Sequence, residues 1–318
     1  MKKLVLFLIL LTVLVGCTNT SDEEVATETD NQKLSIYTTV YPLQYFTDRI
    51  GGDYVETSTV YPPGSDEHSF EPTQKDMIKL AEADLFIYVG LGLEGFVEKT
   101  QKTLANEEVV LLAAGENVQL LPASTKEEDH HDHEHDHEDG HHHGDIDPHV
   151  WLDPLYAKDL AEEIKQALIK KMPEQQENFE ANYQQLASEL EKLDADFSQT
   201  IQEAKHKEII VSHSAYGYWE ERYGLKQISI SGLNSSDEPT QKDLEKIIAE
   251  GKKQQLKYVF FEQNVSTKLT EIIQKELGAA PQVLHNLSVL TNEDIKNQAT
   301  YFSIMEANLK ALNTALNE

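Results

Sequence analysis

From Pro173 to Lys205 the chain reads PEQQENFEANYQQLASELEKLDADFSQTIQEAK, with no glycine and no proline after its first residue. Phe179, Tyr183, Leu186, Leu190, Leu193, Phe197 and Ile201 recur at helical spacing along it. That pattern predicts one amphipathic helix. At about 1.5 Å per residue it would reach on the order of 45–50 Å, more than a small domain's width. A rod of that length in the middle of a chain is a connector between two bodies.

The sequence on either side fits that division. Before the rod, short apolar runs (KLSIYTTVYPL, YVETSTVYPPG, DLFIYVG, VVLLAA) alternate with helical stretches such as Thr73 to Ala83 and Glu94 to Leu104. After it, EIIVSH, KQISIS, KYVFFEQ and QVLH alternate with helices at Ala215 to Tyr223, Thr240 to Lys253, Ser266 to Leu277 and Asn297 to Leu316. Nearly continuous apolar runs suit strands covered on both faces in a parallel sheet. The expected class is α/β: an N-terminal lobe over 34–172, a linking helix over 173–205 and a C-terminal lobe over 206–318.

The N-terminus carries Lys2 and Lys3, an apolar stretch Leu4–Val15 too short for a typical membrane span, and Gly16-Cys17. That is the layout of an export signal, 1–16. Its end resembles a bacterial lipobox, which makes Cys17 the expected lipidation site. The acidic stretch to residue 33 then reads as a tether that buries too little to fold. The expected place is the outer face of the cell membrane, held by lipid.

Formal charge is −29, which argues against nucleic acid, where Lys and Arg must replace phosphate counterions. A cation is the natural partner. Cys17 is the only cysteine, so a strong metal site must be built from imidazole and carboxylate.

Histidines fall into two sets. Eight crowd the run 127–144: His130, His131, His133, His135, His137, His141, His142 and His143. His133 to His137 formally match the zinc-protease pattern H-E-x-x-H, but that mechanism needs a helix presenting both imidazoles on one face. A run of His, Asp and Glu with no apolar face is a metal-attracting tract instead. With no other catalytic constellation in view, no enzyme is expected.

The other five are His68, His149, His206, His213 and His285. His206, in AKHKE, reads as exposed. His68 lies past a strand, His149 in a proline-bracketed loop, and His213 and His285 end strands. Ligands bind beyond the carboxyl ends of parallel strands, so several of these positions can converge on one cleft.

YPPGSDEHSFEPT, DPHVWLDP and VSHSAYGYW, in this order and spacing, resemble the metal-binding lipoproteins of bacterial zinc and manganese ABC importers. The resemblance covers the chain from Leu34 onward. It implies two lobes bridged by one long helix, with the metal held between them. Carried over residue by residue, it makes His68, His149 and His213 ligands. Family members usually add an Asp or Glu just after a late strand, and QVLHNLSVLTNED has no carboxylate at the expected place; His285 is the expected fourth donor, with Glu67 or water as alternatives.

A third imidazole, where manganese-selective relatives carry a carboxylate, favours Zn2+. The implied function is capture of Zn2+ outside the cell for an ABC permease and its ATPase, by a monomer. A manganese importer component and a surface zinc store or adhesin are the alternatives.

Overall fold

The structure is a computed structural model that describes residues 33–120, 146–263, 265 and 267–318. Strands β1 (Leu34–Thr38), β2 (Val55–Thr59), β3 (Leu85–Tyr88) and β4 (Val110–Ala113) form a parallel sheet in the order β2-β1-β3-β4. A second parallel sheet, of β5 (Glu208–Val211), β6 (Lys226–Ser229), β7 (Tyr258–Phe261) and β8 (Ala280–Val283), has the order β6-β5-β7-β8. Both sheets therefore have the same winding, reversing direction beside their first strand. Each creates a crevice there, beyond the strand ends.

Parallel strands need crossover helices. In the N-terminal lobe these are α1 (Tyr41–Gly51), α2 (Gln74–Ala81) and α3 (Val97–Thr103). α4 (Pro154–Lys171) then leads into α5 (Gln176–Gln202). The C-terminal lobe uses α6 (Gly217–Tyr223), α7 (Gln241–Lys253) and α8 (Lys268–Leu277), and closes with α9 (Asn292–Lys296) and α10 (Tyr301–Asn317).

The long helix α5 buries the apolar positions its spacing marks, Phe179 through Ile201. It is shorter than the sequence suggests, because Pro173–Gln175 form a separate 3-10 turn after Met172, which is not helical. A residue before proline is driven out of helical conformation. Its 27 residues span about 40 Å. It packs on α1 and α4 at one end and on α6 and α10 at the other.

The last helix of the sequence reading, Asn297 to Leu316, is α10, and α9 is an additional short helix ahead of it. Thr291 and Thr300 each open a helix with a reciprocal capping box, and Gln298, at φ +52°, turns the chain between them. Capping side chains satisfy the free N–H groups of a first turn, so two caps start two helices.

The larger of two buried clusters spans both lobes and includes Ile36, Phe46, Trp151, Phe197, Trp219, Leu284 and Tyr301, while Ile210, Ile247, Val259 and Ile273 belong to a second, in the C-terminal lobe. Across the junction, Trp151 Nε1 donates to the Asn286 carbonyl (2.7 Å), Trp219 Nε1 to the Leu152 carbonyl (2.8 Å) and Tyr301 Oη to the Trp151 carbonyl (2.8 Å). The 147–153 loop is thereby fixed against the loop after β8 and against α6 and α10 of the second lobe. Among the described residues, no helix is long and apolar enough to cross a membrane.

Candidate metal centre

Three loops converge between the sheets. The first follows β2, turns at Pro62-Pro63-Gly64 and carries Glu67 and His68. Asp66 shapes it: one carboxylate oxygen accepts from the backbone N–H of His68 (3.1 Å) and Ser69 (2.9 Å) and from the Ser69 hydroxyl (2.9 Å). The other accepts from Ser235 of the second lobe (2.6 Å).

The second loop brings His149 just ahead of a 3-10 turn, Val150–Leu152. Asp147 accepts from the backbone N–H of His149 (2.9 Å) and contacts its ring Nδ1 at 2.7 Å. Space for that carboxylate depends on Gly217, where a Cβ would stand 2.7 Å from Asp147 Oδ2.

The third element is β5, which delivers His213 at its carboxyl end. Glu262, the first residue after β7, accepts from the His213 backbone N–H (3.2 Å) and meets Nδ1 at 2.8–2.9 Å. The pair sits at the crevice where the second sheet reverses direction.

Ionised carboxylates only accept hydrogen bonds, so Asp147 and Glu262 fix the proton of both rings on Nδ1. Each Nε2 is then a lone pair, and the two face each other at 3.3 Å. Two lone pairs at that distance repel unless a cation lies between them. In a tetrahedral complex with Zn–N of about 2.0–2.1 Å, neighbouring donors stand about 3.3–3.4 Å apart. His149 and His213 are fully buried. His68 packs its ring 5.4 Å and 6.2 Å from theirs, and its buried Nε2 has no hydrogen-bond partner.

Glu67, His68, His149 and His213 together offer one donor atom each within 4.8 Å of one another. Burial, then the two neighbouring imidazoles, push His68 down to about 4, so its ring stays neutral well into acid. Burial works against a charged His213, but Glu262, with Glu67 and Asp147, outweighs it and the ring titrates above an ordinary histidine. Burial raises Glu67 above the usual carboxylate range.

Of the donors open for the fourth position, Glu67 lies in this group and His285 does not. His285 is buried, but its Nδ1 accepts from the Leu287 N–H (2.9 Å) and its Nε2 faces Asp294 (3.2 Å). Both ring nitrogens are occupied, so the ring serves the loop after β8. His206 is half-buried rather than exposed. His130, His131, His133, His135, His137, His141, His142, His143 and Cys17 lie outside the described residues.

Sequence reasoning missed Asp147 and Glu262, the two carboxylates that orient the rings. A signal existed for each: Asp147 stands two residues before His149 in DPH, and Glu262 follows β7 directly as His213 follows β5 by two residues.

Residues 36–315 match the family model described as ZnuA, zinc-uptake complex component A, periplasmic. The chain belongs to this family. ZnuA-type proteins are metal-binding solute-binding proteins rather than enzymes. The high-affinity zinc uptake system protein ZnuA of Bacillus subtilis is 34% identical over 304 residues, covering 96% of this chain and 94% of that protein. The zinc-binding lipoprotein AdcA of Streptococcus pneumoniae is 37% identical over 314 residues, 98% of this chain. The chain spans only 60% of that AdcA's length. Among solved structures, the Zn(II)-bound ZnuA-like domain of S. pneumoniae AdcA matches with a TM-score of 0.74 at 34% identity, covering 90% of this chain and all of that domain.

Proposed function

We propose that this protein captures Zn2+ outside the cytoplasmic membrane and hands it to an ABC permease and its ATPase. His68, His149 and His213 are the imidazole ligands and Glu67 the fourth. The observation that carries this reading is the 3.3 Å approach of two buried Nε2 atoms whose protons are held on the far side of each ring. Three imidazoles and one carboxylate oxygen suit tetrahedral zinc, whereas manganese is better served by more oxygens and higher coordination. The net charge of −29 draws cations toward the surface generally.

The chain works as a monomer, anchored through lipid on Cys17, with 34–172 and 206–318 as its two lobes and 173–205 between them. The run 127–144, a stretch of His, Asp and Glu without an apolar residue, gathers ions more weakly than the buried set. No covalent chemistry is assigned to any of these residues. Deleting the gene in its host should slow radioactive zinc uptake and growth under zinc limitation, with recovery on re-expression of the whole chain but not of a His149→Ala, His213→Ala form. Unchanged uptake in the deletion strain would overturn the reading.

A further inference from the structure

We propose that Asn286 sets the metal selectivity of this centre by restricting Glu67 to coordination through a single oxygen. The inference rests on the reading of Glu67 and the three histidines as the metal site.

Asn286 is held from every side. The backbone of His285 before it is clamped by Asn308, which accepts from the His285 N–H (2.9 Å) and donates to its carbonyl (2.8 Å). Leu287 after it is fully buried at φ +61°, a conformation that a non-glycine residue seldom takes. Its N–H is tied to His285 Nδ1. The Asn286 carbonyl accepts from Trp151, two residues beyond His149.

With the backbone fixed, the side chain has one orientation. Its Oδ1 accepts from the Ser288 N–H (3.1 Å) and the Ser288 hydroxyl (2.8 Å). The Ser288 N–H needs an acceptor there, which an oxygen is and an amide nitrogen is not, so the amide is assigned from its neighbours. The NH2 group is left facing Glu67 and donates to Oε1 at 3.2 Å. Asn286 is 3% exposed and Glu67 4%, so water does not easily replace that bond.

Chelation by a carboxylate requires both oxygens to swing toward the ion. An N–H holding Oε1 opposes that swing and leaves Oε2 as the donor. Three imidazoles and one oxygen make four ligands, the number zinc prefers; a chelating Glu67 would make five, which favours manganese relative to zinc. Asn286 touches no metal and acts as a positioning residue through Glu67.

A double-mutant cycle on the whole chain tests this, using zinc and manganese in competition and Co2+ as a visible probe of coordination number. Asn286→Ala should lower the zinc-over-manganese affinity ratio about tenfold and weaken the intense visible absorption of four-coordinate cobalt. In a Glu67→Gln background the same substitution should change neither, since the residue it acts through is gone. If Asn286→Ala fails to fold, Asn286→Leu, which keeps the bulk and removes the donor without adding a charge beside Glu67, carries the test. An unchanged ratio and cobalt spectrum would overturn the proposal, as would an equal loss with and without Glu67. Wild-type zinc affinity in Glu67→Gln alone would instead show that Glu67 is no ligand, and would overturn the fourth-ligand reading together with this inference.

Discussion

His149 Nε2 and His213 Nε2 stand 3.3 Å apart, each on a ring whose Nδ1 is held by its own carboxylate, Asp147 for one and Glu262 for the other. The two rings come from opposite sides of the long helix in sequence. Their spacing is that of two donors on one tetrahedral ion, and the buried surroundings leave little room for water to screen them.

Removing any one imidazole opens the site and removes a donor. His68→Ala, His149→Ala and His213→Ala should each weaken tight zinc binding by at least about a hundredfold, on the scale of losing a metal's direct or supporting contacts, with circular dichroism unchanged. His285→Ala should leave zinc affinity within about tenfold of wild type while lowering stability by about 1–3 kcal/mol, since the buried Leu287 N–H loses its acceptor. Calorimetric titration and denaturant melts separate these outcomes. A His285→Ala protein that loses tight zinc would restore that residue to the ligand set.

The carboxylates behind the rings fix their tautomers. Asp147→Asn and Glu262→Gln keep shape but offer the ring an N–H, which pushes the imidazole proton toward Nε2, where the metal must bind. Each should cost about 10–100-fold in zinc affinity, measured by competition with a chelator. Wild-type affinity in both would mean that the rings choose their tautomers without them.

Acid competes with zinc for these nitrogens. His213 titrates above an ordinary histidine, so its proton is retained at pH values where a free imidazole has lost it. Affinity should therefore begin to fall above pH ~6.5, the reference value, and go on falling through the acid range. His68, pushed down to about 4, adds its proton only near that pH. Glu262→Gln should move the onset to lower pH, because the partner that raises His213 is removed. Competition titrations across the range would show this, and an affinity flat from about pH 7.5 to 5.5 would argue against imidazole ligands.

Gly217 offers a test that touches no ligand. Its φ is ordinary, so Gly217→Ala strains no backbone, but the added methyl would stand 2.7 Å from Asp147 Oδ2. Asp147 must shift, and with it the Nδ1 contact of His149. Zinc affinity should fall about tenfold with the melting temperature little changed. An unaltered affinity would mean that Asp147 gives way without moving the ring.

Much of this was legible from the chain. The helical spacing of Phe179, Leu186, Leu190, Phe197 and Ile201 marks the buried face of α5, and the resemblance of three motifs to metal-binding lipoproteins puts His68, His149 and His213 in one ligand set. Periodicity carries such features because it is local. The fourth position was not legible, because whether His285 or Glu67 points at the other three depends on a turn at Leu287 with positive φ and on hydrogen bonds to Asn308 and Asp294. Asp147 and Glu262 escaped notice for a similar reason: an acidic residue beside a strand is common, and only the fold shows that it faces an imidazole. The short helix α9, absent from the sequence reading, rests on the cap at Thr291, which the apolar pattern does not record.

The most direct measurement is anomalous diffraction at the zinc edge from crystals of the chain with residues 127–144 replaced by a short Gly/Ser linker and loaded with zinc. One strong peak should lie between the two facing rings, about 2.0–2.1 Å from Nε2 of His149 and of His213, with the His68 ring and one Glu67 oxygen completing the shell. A chain that binds no zinc between those rings, or one whose zinc is held by His285, would contradict the assignment of this centre.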